Sequence, residues 1–167
     1  NNRLYIYLQN GTSWIVDAGK GERLATWAAH LPSVFYHSFT IGSIDWSASN
    51  KLIAISSRNK LVVLDEKGQL HAEREFPESK RIVALDWGNS DDTIRLLRED
   101  GVVERTDSAL ERTQSIELQQ KPEFALAKFS PDGSMLAALD VVNRAYLFDA
   151  DKGELLAQWD SQMARFQ

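Results

Sequence analysis

Phe129-Ser130-Pro131-Asp132-Gly133-Ser134-Met135-Leu136-Ala137-Ala138-Leu139-Asp140 sets a tight-turn signal between an aromatic residue and a short apolar run. Pro131 fixes its own φ for a turn, and Gly133 accepts the reversed backbone that L side chains avoid. The run that follows is too short for a helix, so the stretch predicts a hairpin. Whether it decides the whole fold depends on whether it recurs at a fixed period.

It does recur. Ile44-Asp45-Trp46-Ser47 and Leu85-Asp86-Trp87-Gly88 match Ala127-Lys128-Phe129-Ser130, with the aromatic residues 41 and 42 positions apart. Four residues after each aromatic stands Asn50, Asp91 or Gly133, residues that accept the left-handed region or cap turns. A second column consists of apolar runs closed by aspartate, ending at Asp17, Asp65, Asp107 and Asp149 with spacings of 48, 42 and 42. Six residues before each aspartate comes Gly11, Asn59, Gly101 or Asn143, which predicts a positive-φ hairpin turn four times over. After each aspartate a further turn leads into an alternating run: Arg23 to Trp27, Leu70 to Phe76, Thr113 to Leu118 and Leu155 to Trp159. The third of these turns lacks glycine, so its hairpin is expected to be the least regular.

Each unit therefore holds four short strands, a to d, at the turn spacing of an all-β repeat. Strand a is expected at 41–47, 81–88 and 124–130, and strand b at 3–8, 52–58, 93–99 and 135–141. Strand c falls at 13–18, 60–66, 101–107 and 144–150. The units run 1–29, 38–76, 81–118 and 124–161, the first beginning at strand b, and 162–167 reads as the start of another strand.

The period, the Phe-Ser-Pro-Asp-Gly turn and the run ending in Phe148-Asp149 resemble the repeat of WD-repeat β-propellers, in a divergent, bacterial-type version. Phe148-Asp149 stands where that family has Trp-Asp, as do Leu64-Asp65, Thr106-Asp107 and Val16-Asp17. The Gly-His dipeptide before strand a is absent. The resemblance covers nearly the whole chain and implies an all-β propeller of four-stranded antiparallel blades, three full and one partial, belonging to a ring of seven or eight. An isolated arc would expose two apolar faces, so the remaining blades of a larger chain or self-association are expected to cover them.

The composition bounds the function. With 43% apolar residues the chain can build a core, and a net charge of -5 with both signs interspersed leaves no basic stripe for nucleic acid. Cysteine is absent, so no disulfide or thiolate chemistry is available. No apolar run reaches the roughly 20 residues of a membrane span. The expectation is a soluble protein, of the cytoplasm before the periplasm.

Site candidates are few. His30 and His37 share a long connection without a nearby carboxylate partner, which argues against a metal site. Gly19-Lys20-Gly21 lacks the rest of a phosphate loop and reads as a strand connector. Trp46 with Trp87, and Trp27 with Trp159, recur at matched positions, which suggests packing between blades. No nucleophile–base set has a readable spacing, so a non-catalytic protein-interaction scaffold without a cofactor is expected. Its candidate contacts are Leu31, Pro32, Phe35, Tyr36 and His37, aromatics beside proline in a long loop. The alternative is a small-ligand or enzymatic propeller using Asp45, Asp86 and Lys128, which precede the aromatic of strand a in three units. The same three charges also suit ion pairs between blades or bonds to backbone amides.

Overall fold

The computed structural model describes residues 3–7, 13–27, 41–88 and 92–160. Within them every regular element is a strand, and the strands form four antiparallel sheets. The first sheet joins β1 (Arg3–Tyr7), β2 (Ser13–Asp17) and β3 (Glu22–Trp27). The second joins β4 (Ile41–Trp46), β5 (Leu52–Ser57), β6 (Lys60–Asp65) and β7 (Leu70–Glu75). The third holds β8 (Ile82–Trp87), β9 (Ile94–Arg98), β10 (Val102–Thr106) and β11 (Thr113–Glu117). The fourth holds β12 (Phe124–Phe129), β13 (Met135–Asp140), β14 (Ala145–Asp149) and β15 (Leu155–Trp159). In each four-stranded sheet the spatial order follows the chain, so these are meanders and lie within a residue or two of the expected strands.

The turns show why the repeat has its signature. Gly133 N–H donates to Ser130 O at 2.7 Å, and Asn50 N–H donates to Ser47 O at 2.8 Å. Both residues take positive φ, 70° and 58°. The serine hydroxyl closes each turn, accepting from Met135 N–H at 3.0 Å and from Leu52 N–H at 3.2 Å. The aspartate column is a set of side-chain caps. Asp17 Oδ1 accepts from the amides of Gly19 and Lys20, Asp65 from Lys67 and Gln69, Asp107 from Glu111 and Arg112, and Asp149 from Asp151 and Lys152. These amides would otherwise go unpaired in the loop, and the short carboxylate is placed to satisfy them. The amides of Gly19-Lys20-Gly21 are thus spent on Asp17, and the segment is a hairpin turn.

Asp132 caps the opening turn in the same way, taking bonds from the Ser130 hydroxyl and from the Ser134 amide and hydroxyl. Those bonds hold its carboxyl down from 3.8 to about 2. A carboxyl lowered in the folded state adds stability that is complete above its unfolded value and is lost as pH falls through the folded one. Asp132→Asn is therefore expected to flatten the stability–pH profile between 3.8 and about 2, read from denaturant midpoints at several pH values.

Two expectations require correction. In unit two the positive φ falls on Arg58 (49°) instead of Asn59, because Ser57 pairs directly with Lys60 and the loop holds only two residues. In unit three the hairpin lacking glycine is the most regular. β10 pairs with β11 without a register shift, whereas β2–β3, β6–β7 and β14–β15 each contain one. Leu110 takes the positive φ (61°) that Gly21, Gly68 and Gly153 take elsewhere. Its side chain is buried in the core between the second and third sheets, which offsets a backbone strain of about 1–2 kcal/mol.

Sheets stack face to face through three apolar clusters. Ile15 and Ala25 meet Ile53, Ile55, Val62 and Leu64 between the first and second sheets. Ala54, Leu61 and Val63 meet Trp87, Ile94 and Leu96 between the second and third. Ala84, Leu97 and Val103 meet Phe124, Leu136, Tyr146 and Phe148 between the third and fourth. In the second and third sheets the period-two alternation feeds one face to the preceding sheet and the other to the following one.

Candidate interaction site

Polar side chains tie the stack together at each seam. Asp45 Oδ2 accepts the Trp87 backbone N–H of the next sheet at 2.7 Å, while Oδ1 accepts Trp46 N–H at 2.9 Å. Asp45→Ala strands a seam amide and should cost about 1–3 kcal/mol in a thermal melt. Asp86 is bonded to Arg95 Nη1 at 3.1 Å, and its carboxyl is pushed up, first by burial and further by Asp45, against the pull of Arg95 and Lys128. Arg95 also reaches across the seam to Asp132 O at 3.3 Å and lies against Gly133, where a Cβ would collide with the guanidinium. Arg105, its neighbour on β10, pairs with Asp151 of the fourth sheet.

A seam group that sequence reasoning missed is Glu104. It is 1% exposed and lies between Arg98 of its own sheet and Arg74 of the preceding one, the latter at 3.1 Å. The Arg74 guanidinium covers the Phe76 ring at 4.6 Å, and Arg98 holds Asp100 through two bonds at 2.9 and 3.1 Å. The signal in the sequence is a charge in the apolar column, since Val62 and Tyr146 occupy the matching places of strands β6 and β14.

The sequence-based site residues divide. Leu31, Pro32, Phe35, Tyr36 and His37 lie outside the described residues, as does His30. Asp45, Asp86 and Lys128 share one register position, with Asp45 and Asp86 engaged in the bonds above. Lys128 is exposed on the fourth sheet. Among the tryptophans, Trp87 is buried at a seam, and Trp46 packs beside one. Trp159 does not pack between described sheets, being 54% exposed. The side chain of Trp27 lies outside the described residues. Among those residues no group of three or more histidines and carboxylates converges as a metal site, and no helix is long and apolar enough to cross a membrane.

Trp159 belongs to an open apolar face. Leu126, Leu139, Ala145 and Trp159 stand side by side across β12 to β15, and Ala137, Leu147 and Ala157 continue the face in the next row beside Lys128. Leu126 is 61% and Leu139 37% exposed, and the surface between them sinks into a shallow depression of about 270 Å³. The patch is contiguous and apolar across all four strands of the sheet.

No family model matches the chain, and no curated protein matches it in sequence. Its fold is similar to that of the crystal structure of Kluyvelomyces marxianus Hsv2, a WD40 β-propeller protein, with a TM-score of 0.66 at 11% identity. The match covers 99% of this chain and 48% of that one, so the chain spans about half the length of its structural neighbour. The four-stranded meanders, their face-to-face stacking and this likeness define the class: an all-β chain with the architecture of a partial β-propeller.

Proposed function

We propose that the chain is a WD-repeat-like propeller segment acting as a non-catalytic protein-interaction scaffold. The open face of the fourth sheet carries this reading: Leu126, Leu139, Ala145 and Trp159 form an apolar row on a sheet held by cross-strand bonds and seam ion pairs. A pre-ordered sheet loses little conformational freedom on docking, and burying a large side chain contributes about 1.5–3 kcal/mol. The segment carrying Leu31, Pro32, Phe35, Tyr36 and His37 supplies a second set of contacts on chemistry alone.

The test compares recovery of bound protein by the immobilised wild-type chain, by a Leu126→Glu/Trp159→Glu variant and by a Phe35→Ala/Tyr36→Ala variant. Recovery is expected to fall at least about tenfold for the first variant, whose two substitutions cost about 1.4 kcal/mol or more together. Its far-UV circular dichroism should be unchanged. Undiminished recovery by both variants would remove the scaffold reading.

A further inference from the structure

The outer strand of each sheet pairs on one side only, and its free edge is a template for a foreign strand unless something blunts it. β3, β7 and β15 each carry a register shift against their neighbour. β3 and β7 add charges, Glu22 and Arg23 in the one and Glu73, Arg74 and Glu75 in the other. Bulges and charges both keep an edge from accepting another strand. β11 is the exception. It pairs with β10 without a shift, and in Thr113-Gln114-Ser115-Ile116-Glu117 the single charge stands at the end.

The ladder fixes where the backbone groups of β11 point. Leu118 N–H donates to Gly101 O at 2.9 Å, and Asp107 N–H donates to Arg112 O at 3.2 Å. Bonded and non-bonded pairs alternate in an antiparallel ladder, so Gln114 and Ile116 turn their N–H and C=O groups to Arg105 and Val103. Thr113, Ser115 and Glu117, all exposed, turn theirs outward. The fourth sheet closes the far end, where Gln119 N–H donates to Gly153 O at 2.8 Å and Glu117 O lies against Gly153. Thr113 and Ser115 thus each offer a donor and an acceptor, and Glu117 offers a donor.

The side chains around this edge narrow the choice of partner. Thr113 and Ser115 share one side of the strand, where the Thr113 hydroxyl accepts from Arg74 Nη1 at 2.9 Å, while Ile116 on the other side packs on the core. Alternating hydroxyl and β-branched apolar residues pair well with such neighbours. Arg112 stands at one end, 87% exposed, and Glu117 at the other, 73% exposed.

We infer that the edge of β11 takes an extended segment of a partner protein as a fifth, antiparallel strand. The segment alternates Val and Thr, with a cation at its N-terminal end beside Glu117 and a carboxylate at its C-terminal end beside Arg112. Backbone bonds supply the attachment, and the end charges set the direction. The third sheet lies between the second and the fourth, so the site is apart from the open face of the fourth sheet.

Residue-by-residue amide hydrogen exchange of the full chain tests this, with the capped peptide Lys-Val-Thr-Val-Thr-Glu at millimolar concentration as the probe. The peptide should slow exchange at Thr113 and Ser115 at least about tenfold and leave the β7 amides unchanged. N-methylation of its alternate residues should abolish protection in one phase of the alternation and spare it in the other. Exchanging its end charges should weaken binding at least about twofold. Ser115→Pro removes an N–H that β10 does not use, so the far-UV spectrum should persist while peptide binding falls at least about tenfold. If that variant does not fold, the N-methylated peptides decide. The Leu126→Glu/Trp159→Glu variant should protect Thr113 and Ser115 as the wild type does, which separates this site from the open apolar face. No protection with the unmodified peptide, equal protection in β7, or protection by both N-methylated peptides would overturn the proposal.

Discussion

Glu104→Ala is expected to lower the unfolding free energy by about 3–5 kcal/mol, the cost of removing the buried carboxylate that Arg74 and Arg98 share. Glu104 is the one carboxylate between Arg74 and Arg98 at the seam of the second and third sheets. Burial and the field of Arg98 already press the Arg74 guanidinium towards its neutral form. Without Glu104, Arg74 loses its carboxylate and Arg98 keeps only Asp100, at a seam closed on the apolar side by Phe76. Replacing the whole triad by Arg74→Met, Glu104→Val and Arg98→Leu should come within about 1 kcal/mol of wild type, because three desolvation penalties vanish with the attraction. Chemical denaturation of both variants checks this pair of outcomes, and a Glu104→Ala midpoint equal to wild type would show that the triad is solvated.

Gly153→Ala should produce the next largest loss, about 2–4 kcal/mol from left-handed strain plus overpacking. Gly153 sits at φ 74°, and a Cβ there would lie inside the contact distance of the Glu117 carbonyl oxygen, which belongs to backbone and cannot rotate away. Its own carbonyl accepts Gln119 N–H at 2.8 Å, so displacement of the turn also opens the seam to the third sheet. Gly21 occupies the matching place at φ 70°, and an added methyl there would meet nothing within 4 Å. Gly21→Ala should therefore cost only the backbone strain of about 1–2 kcal/mol. Thermal melts of the two variants separate strain from collision. Equal losses would mean that the crowding at Glu117 is relieved by a backbone shift.

Local chemistry made much of the architecture legible. The Ser130-Pro131-Asp132-Gly133 turn and its weaker copy at Ser47–Asn50 obey rules that act over four residues, and the aspartate caps act over two to five. Where a distant partner intervenes, reading from sequence falters. Leu110 adopts a glycine conformation because the core between two sheets holds its side chain, a cause invisible from Ser108-Ala109-Leu110-Glu111 alone. Arg58 takes the place expected of Asn59 because strand pairing shortens the loop. Glu104 shows in the sequence only as a charge in an apolar column, and its pairing is not readable locally because Arg74 comes from another unit. Asp45 and Asp86 share a register position, yet the bond of Asp45 to Trp87 N–H depends on how two sheets stack, and that of Asp86 to Arg95 on the pairing of β8 with β9 inside one sheet.

The seams differ in chemistry, and this imposes an order on otherwise similar blades. The second-to-third seam needs a cation from β7 opposite Glu104, whereas the third-to-fourth seam needs Gly133 and Asp151 opposite Arg95 and Arg105. A nascent chain that skipped a blade and laid the fourth sheet on the second would set Tyr146 against Arg74 and leave Glu104 without its second cation. Repeats of one shape thus carry addresses, and mis-threaded assemblies are penalised at the first wrong contact.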